Sequence, residues 1–191
     1  VGRNGDGKSS LLRLIDKTLE PDSGRVTWRN GISVGMLGQA DSLDDGASVA
    51  EAVFGDVPRY EWASDPACRS IAGALLGGIS LDDAVGHLSG GQRRRVDLAR
   101  VLVGRWDVLL MDEPFGAVDE ITRRMLQDEI LRIHRELGVT IVFITHDIRE
   151  ALKLGTRVAV MDHGGLVQID TPENIRNQPA TDFVKELVSD R

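Results

Sequence analysis

Gly2-Arg3-Asn4-Gly5-Asp6-Gly7-Lys8-Ser9 fits the pattern G-x-x-x-x-G-K-[ST] and runs without a break into Ser10-Leu11-Leu12-Arg13-Leu14-Ile15, a helical pattern. Glycines 2, 5 and 7 let the backbone curl so that successive N–H groups point inward, and a helix beginning near Lys8 adds the positive end of its dipole. Such a cradle suits a polyphosphate. Lys8 would reach the β- and γ-phosphates as a point charge, and the Ser9 hydroxyl would ligate Mg²⁺. Gly2, Asn4, Gly5, Gly7, Lys8, Ser9 and Ser10 are therefore the candidate phosphate-binding residues. A glycine-rich turn ahead of a helix is the plainer reading of the same letters.

Two later segments sharpen this. Val108-Leu109-Leu110-Met111 is an apolar run that ends in Asp112-Glu113, as expected of a buried parallel strand delivering acids at its C-terminal end. Taken alone, two carboxylates closing a strand serve equally as ordinary loop residues. Leu88-Ser89-Gly90-Gly91-Gln92 places two glycines at the start of a helix that continues from Arg93 to about Val103. Glycines there lower stability unless backbone must approach a ligand closely, although a serine N-cap with a flexible turn has the same composition.

These three segments, in this order, resemble the ATP-binding cassette (ABC) ATPases. The resemblance implies an α/β fold of the P-loop NTPase type, a mostly parallel sheet flanked by helices with a small helical subdomain. It implies ATP and Mg²⁺ as ligands and ATP hydrolysis as the activity. Asp112 would hold Mg²⁺ through water, and Glu113 would polarise the attacking water. Ser89, Gly90, Gly91 and Gln92 would face the γ-phosphate of the nucleotide on a second subunit, in a head-to-tail dimer. Gln39, after the apolar stretch Ile32 to Leu37, matches the glutamine that senses Mg²⁺ and the attacking water. Gly116-Ala117-Val118-Asp119 resembles the loop that communicates across that dimer, with Asp119 near the nucleotide. His146, after Val139-Thr140-Ile141-Val142-Phe143-Ile144-Thr145, matches the histidine that contacts the γ-phosphate. His87, His134 and His163 have no such placement and are read as structural.

Composition is that of an ordinary globular chain: 191 residues, 41% hydrophobic and 28% charged. No apolar run reaches bilayer-spanning length and no charged-then-apolar leader pattern opens the sequence, so a cytoplasmic protein peripheral to the membrane through a permease partner is expected. Cys68 is the single cysteine, which excludes an intrachain disulfide. Net charge is −7, and the halves either side of Glu113 are both acidic, so direct DNA binding is not expected. Arg93-Arg94-Arg95 with Arg100, and Arg123-Arg124, are at helical spacing and read as solvated faces.

Along the chain, a helix from Lys8 to about Leu19 stops at Glu20-Pro21-Asp22-Ser23-Gly24. Arg25 to Arg29, Asn30-Gly31 and Ile32 to Leu37 read as a hairpin, since Asn-Gly favours a tight primed turn. Residues 40–87 show short helical patterning broken by Gly and Pro, the expected helical subdomain within a single ATPase domain over 1–191. Asp119 to Leu137 carries Ile121, Met125, Ile130, Ile133 and Leu137 near helical spacing, with Gly138 as its cap. Arg157 to Met161 and Leu166 to Asp170 form a second hairpin, and two short helices follow Pro172.

The two halves of the chain lean towards different branches of the family. Residues 1–113, in Gly2-Arg3-Asn4-Gly5-Asp6-Gly7-Lys8-Ser9-Ser10-Leu11-Leu12 and His87-Leu88-Ser89-Gly90-Gly91-Gln92-Arg93-Arg94-Arg95-Val96, resemble ABC-F proteins, which act on ribosomes without membrane partners. Residues 114–191, in Phe115-Gly116-Ala117-Val118-Asp119-Glu120 and Thr145-His146-Asp147-Ile148-Arg149-Glu150-Ala151, are similar to the ATPases of osmoprotectant importers for glycine betaine and choline. A hybrid chain joined near Pro114 and a divergent natural chain both give this pattern. The importer reading is taken first, a ribosome-associated ATPase second, and a non-hydrolysing nucleotide-binding module third. In the same resemblance, Val1 ends the strand that leads into the phosphate loop. That strand, its antiparallel neighbours and the adenine-stacking aromatic are expected upstream, while Trp28 and Tyr60 read as packed aromatics.

Overall fold

The apolar runs and glycine breaks resolve, in a computed structural model that describes residues 1–116 and 118–189, into nine helices and five strands among the described residues. In chain order these are α1 (Lys8–Ile15), β1 (Val34–Leu37), α2 (Val49–Phe54), α3 (Arg59–Trp62), α4 (Pro66–Leu75), α5 (Gly90–Val103), β2 (Val108–Asp112), α6 (Glu120–Leu137), β3 (Thr140–Ile144), α7 (Ile148–Leu154), β4 (Val158–Asp162), β5 (Gly165–Asp170), α8 (Pro172–Asn177) and α9 (Asp182–Ser189). They divide into two compact units, Val1–Arg29 with the chain from Phe143 onward, and Asn30–Val142.

The central unit is organised by β2, whose five residues are all buried, as the unbroken Val108-Leu109-Leu110-Met111 run requires of a strand covered on both faces. The three-stranded sheet has the order β1-β2-β3, and β1 runs parallel to β2 with Val34 opposite Val108 and Leu37 opposite Met111. Helices α2 and α4 pack on α5, and α4 also meets α6. Residues 41–87 hold α2, α3, α4 and a short 3-10 turn, Val85–His87, with one isolated bridge between Ser48 and Ala84. The α/β architecture is the expected one.

In the other unit, β4 and β5 form an antiparallel hairpin closed by Asp162-His163-Gly164-Gly165. Ile148, Ala151, Val158, Val160, Ile175 and Val184 form its core, one or two from each of α7, β4, α8 and α9. Val1 lies alongside β4, its carbonyl accepting the Met161 N–H at 2.8 Å. The segment 2–9 thus starts from a residue bonded to β4 on both its N–H and its carbonyl.

Several local expectations change. Helix α1 ends at Ile15, short of Leu19, because Lys17 takes a left-handed φ of 63° and the Leu19 N–H returns to the Arg13 carbonyl at 2.9 Å. No hairpin joins Arg25–Arg29 to Ile32–Leu37: the second segment pairs in parallel with β2, and the Asp107 carboxylate takes the Ser33 N–H at 2.8 Å. Asn30-Gly31 is therefore a turn without a ladder. In α6 the buried stripe is Leu126, Ile130 and Ile133, while Ile121, Met125 and Leu137 are exposed. The i, i+4, i+7 spacing of the first set defines the packed face. Tyr60 is exposed rather than packed.

Candidate functional site

The candidate residues lie on both units, and each group is built by its own local structure. On the first, the N-cap of α1 is Gly7, which is left-handed at φ 79° and leaves the helix without a side-chain cap. The first-turn N–H groups of α1 are thus not taken by a capping side chain, the arrangement that favours an anion. Gly5, at φ 92°, lies in the same region that side chains avoid. Gly2 is glycine for another reason. A Cβ there would stand 2.4 Å from the Met161 carbonyl oxygen and 2.8 Å from Asp6 Oδ2. Lys8 is buried, and its Nζ donates to the carbonyls of Gly2 at 2.9 Å and Arg3 at 2.6 Å. The ammonium therefore sits across the loop. Ser9 is half-buried, and Asn4 and Ser10 are exposed.

Asp6 is the loop residue that pattern-reading missed. It is buried, Oδ2 accepting the Arg3 N–H at 2.6 Å and Oδ1 the His163 N–H at 3.1 Å. It fastens the loop to the β4–β5 turn. A carboxylate between two glycines of a loop read as holding an anion is electrostatically out of place, and the sequence shows that much. His163, read as structural, presents its backbone to this bond while its ring is exposed.

His146 lies in the turn between β3 and α7 and is exposed. Its neighbours fix the turn: Thr145 donates its hydroxyl to the buried Glu150 at 2.6 Å and accepts the Asp147 N–H at 3.0 Å. Asp147 caps α7 through the Arg149 N–H. Its carboxyl is held below the usual aspartate range, first by the Arg149 side chain and against the opposing effect of burial.

On the central unit, Asp112 ends β2 in a buried position, and its Oδ1 has no hydrogen-bond partner among the described residues. A buried, unmatched carboxylate oxygen suits a cation. Glu113 follows with a left-handed φ of 47°, which strains a non-glycine residue. Gln39 is exposed just past β1. Ser89 is the N-cap of α5 in a reciprocal capping box: Gln92 donates its N–H to Ser89 Oγ, and Ser89 donates its own N–H to Gln92 Oε1 at 2.9 Å. Gly90 and Gly91 form the first turn. Asp119 is likewise an N-cap, for α6, accepting the N–H groups of Ile121 and Thr122. Within the Gly116–Asp119 loop, Ala117 lies outside the described residues.

Arg93, Arg94 and Arg95 are not a solvated face. Arg93 bonds Asp41 and Asp45, Arg95 donates to the carbonyls of Leu75 and Gly77, and Arg94 is buried. Their acceptors are distant in sequence, so helical spacing alone could not reveal them.

A family model described as ABC transporter matches residues 1–116. The chain belongs to that family. Among curated ABC proteins it is similar to the glycine betaine uptake system ATP-binding protein YehX of Escherichia coli K12, 40% identical over an alignment covering 98% of this chain and 66% of that one. The glycine betaine/carnitine transport ATP-binding protein GbuA of Listeria monocytogenes is 34% identical, covering 100% and 52%. The sulfate/thiosulfate import ATP-binding protein CysA of Caulobacter vibrioides is 37% identical, covering 100% and 61%. The chain thus spans about half to two thirds of the length of these relatives. Importer likeness is not confined to the residues after Pro114, because these alignments take in nearly the whole chain. Among solved structures, a chain of an ABC transporter in an inward-facing conformation superposes with a TM-score of 0.75 at 22% identity, over 92% of this chain and 71% of that one, and it supports the fold. None of the described helices is long and apolar enough to cross a membrane.

Proposed function

We propose that this ABC-family chain is the ATP-binding and ATP-hydrolysing subunit of an importer for glycine betaine or a related quaternary amine. The observation that carries the nucleotide half is the phosphate loop: a buried Lys8 ammonium lies against an uncapped, glycine-led helix start. On this reading Lys8 exchanges its two carbonyl acceptors for phosphate oxygens, and Gly5, Gly7 and the α1 amides hold the rest of the polyphosphate. Hydroxyl, amide and carboxylate oxygens are all hard donors of the kind Mg²⁺ takes, so Ser9, Gln39 and Asp112 suit it, and the Asp112 Oδ1 has no hydrogen-bond partner among the described residues. Bound Mg²⁺ would neutralise charge developing on the phosphates. Glu113 orients and polarises the attacking water, and His146 stabilises the γ-phosphate as charge redistributes. Ser89, Gly90, Gly91 and Gln92 offer the α5 start to the nucleotide of a second subunit, and Asp119 lies in the loop between subunits. The quaternary-amine cargo, the permease partner and a place on the inner membrane face rest on the importer relatives.

The test is sedimentation and phosphate release with the purified chain. Glu113→Gln should keep ATP affinity, lose turnover by about 10²-fold or more, and sediment as a dimer with Mg·ATP but not with ADP, because only the γ-phosphate bridges two copies. A monomer at saturating Mg·ATP, or turnover unaffected by the substitution, would refute the assignment.

A further inference from the structure

Arg94 lies in the first turns of α5, where its side chain is 6% exposed. Burial lowers the pKa of its guanidinium, opposed chiefly by Asp97, whose Oδ2 is 3.9 Å away and whose other oxygen is taken by Arg100 at 2.7 Å. What surrounds the charge is mostly backbone. Nη1 donates to the Gly38 carbonyl at 2.6 Å, Nη2 to the carbonyls of Asp112 and Glu113 at 3.1 Å each, and Nε to that of Pro114 at 3.3 Å.

These acceptors are two groups from separate loops. Gly38 immediately precedes Gln39, whereas Asp112, Glu113 and Pro114 are consecutive residues at the end of β2. Three successive carbonyls converge on one side chain only where the chain bends sharply, and the bend is at Glu113, with its left-handed φ of 47°. The Glu113 carbonyl also accepts the Gly116 N–H at 3.1 Å. Left-handed backbone at a non-glycine residue persists when its surroundings over-determine it. Here the guanidinium does so, with a planar fork that an ammonium cannot reproduce.

We infer that Arg94 is a positioning residue that clamps the Gln39 loop and the Asp112–Pro114 turn to the start of α5, fixing Glu113 and Gln39 in one register. The same helix carries the Ser89 capping box at its first turn, so a displacement of α5 is transmitted to both loops through one side chain. The kinetic consequence rests on the ATPase reading above, and the structural one does not.

The experiment compares the chain with R94M and R94K. Amide hydrogen exchange should quicken in both segments, 36–41 and 112–116, in R94M, while α4 (Pro66–Leu75) keeps its protection. R94K should fall between the two in both segments, since an ammonium reaches one loop at a time. In steady-state Mg·ATP hydrolysis, kcat should fall at least tenfold in R94M with KM within about threefold, and R94K should recover part of it. If R94M does not fold, R94K alone decides: exchange faster in both segments and kcat lowered at least threefold support the clamp. Exchange changed in only one segment or in neither, or a kcat within twofold of the parent chain, would overturn it. Absence of turnover in the parent chain would instead sink the ATPase reading, and the exchange result would still judge the clamp.

Discussion

Asp41 shows how a single residue ties chemistry to stability. Arg93 forks onto its carboxylate through Nε at 3.1 Å and Nη2 at 2.6 Å, and this bond, more than the opposing burial, holds the Asp41 pKa below the ordinary 3.8. A carboxyl with a depressed folded pKa contributes stability that is complete above its unfolded value and vanishes as pH falls through the folded one. Asp41→Asn should therefore be less stable than the parent chain near neutral pH, with the gap closing as pH drops below about 3.8. Denaturant midpoints across the acid range measure it, and a gap independent of pH would contradict the ion pair. Residues of this kind were hard to see in advance. Lys8, Ser89 and Asp112 are announced by their motifs, whereas Asp6 and Arg93 to Arg95 owe their roles to acceptors elsewhere in the chain.

At the scale of elements, periodicity served where one face decided burial and failed where a partner did. Helices α5 and α6 start just after Ser89 and Asp119 because these short oxygen-bearing N-caps take their first amides, and such caps are local. The supposed hairpin around Asn30-Gly31 failed because β1 found its partner in β2, a pairing the turn chemistry cannot announce. That pairing has its own constraint. The Trp106 indole, held by Nε1 donating to the Val101 carbonyl at 2.7 Å, lies against Gly35 of β1 and against Gly104, and a Cβ on Gly35 would come within 2.7 Å of the ring. Gly35→Ala should cost about 1–3 kcal/mol in a denaturant melt. Adding Trp106→Leu should return part of that loss, and strict additivity of the two changes would show that the ring is not what Gly35 accommodates.

For the whole molecule, the α/β class was legible because three motifs stand in the order that the family shows. The division into two units was not, since it gathers residues from both ends of the sequence. The junction near Pro114 looked like a change of family branch, yet importer relatives align on both sides of it. If the chain serves an importer, hydrolysis in proteoliposomes should rise several-fold with a glycine-betaine-type permease and betaine should accumulate. A net charge of −7 makes the ribosome a poor electrostatic match. Co-sedimentation with ribosomes at physiological salt, without permease stimulation, would reverse the preference.

The three tryptophans stand in different surroundings. Trp62 stacks on Phe54 with centroids 4.0 Å apart, Trp106 bridges Gly35 and Gly104, and Trp28 donates its indole N–H to the carbonyl of Ile15, the last residue of α1. The chain therefore carries its own optical labels. With Trp62 and Trp106 replaced by phenylalanine, the remaining emission would come from the indole bonded to the far end of the helix that begins at Lys8. On the proposed function, nucleotide arriving at one end of α1 would then be timed by light from the other.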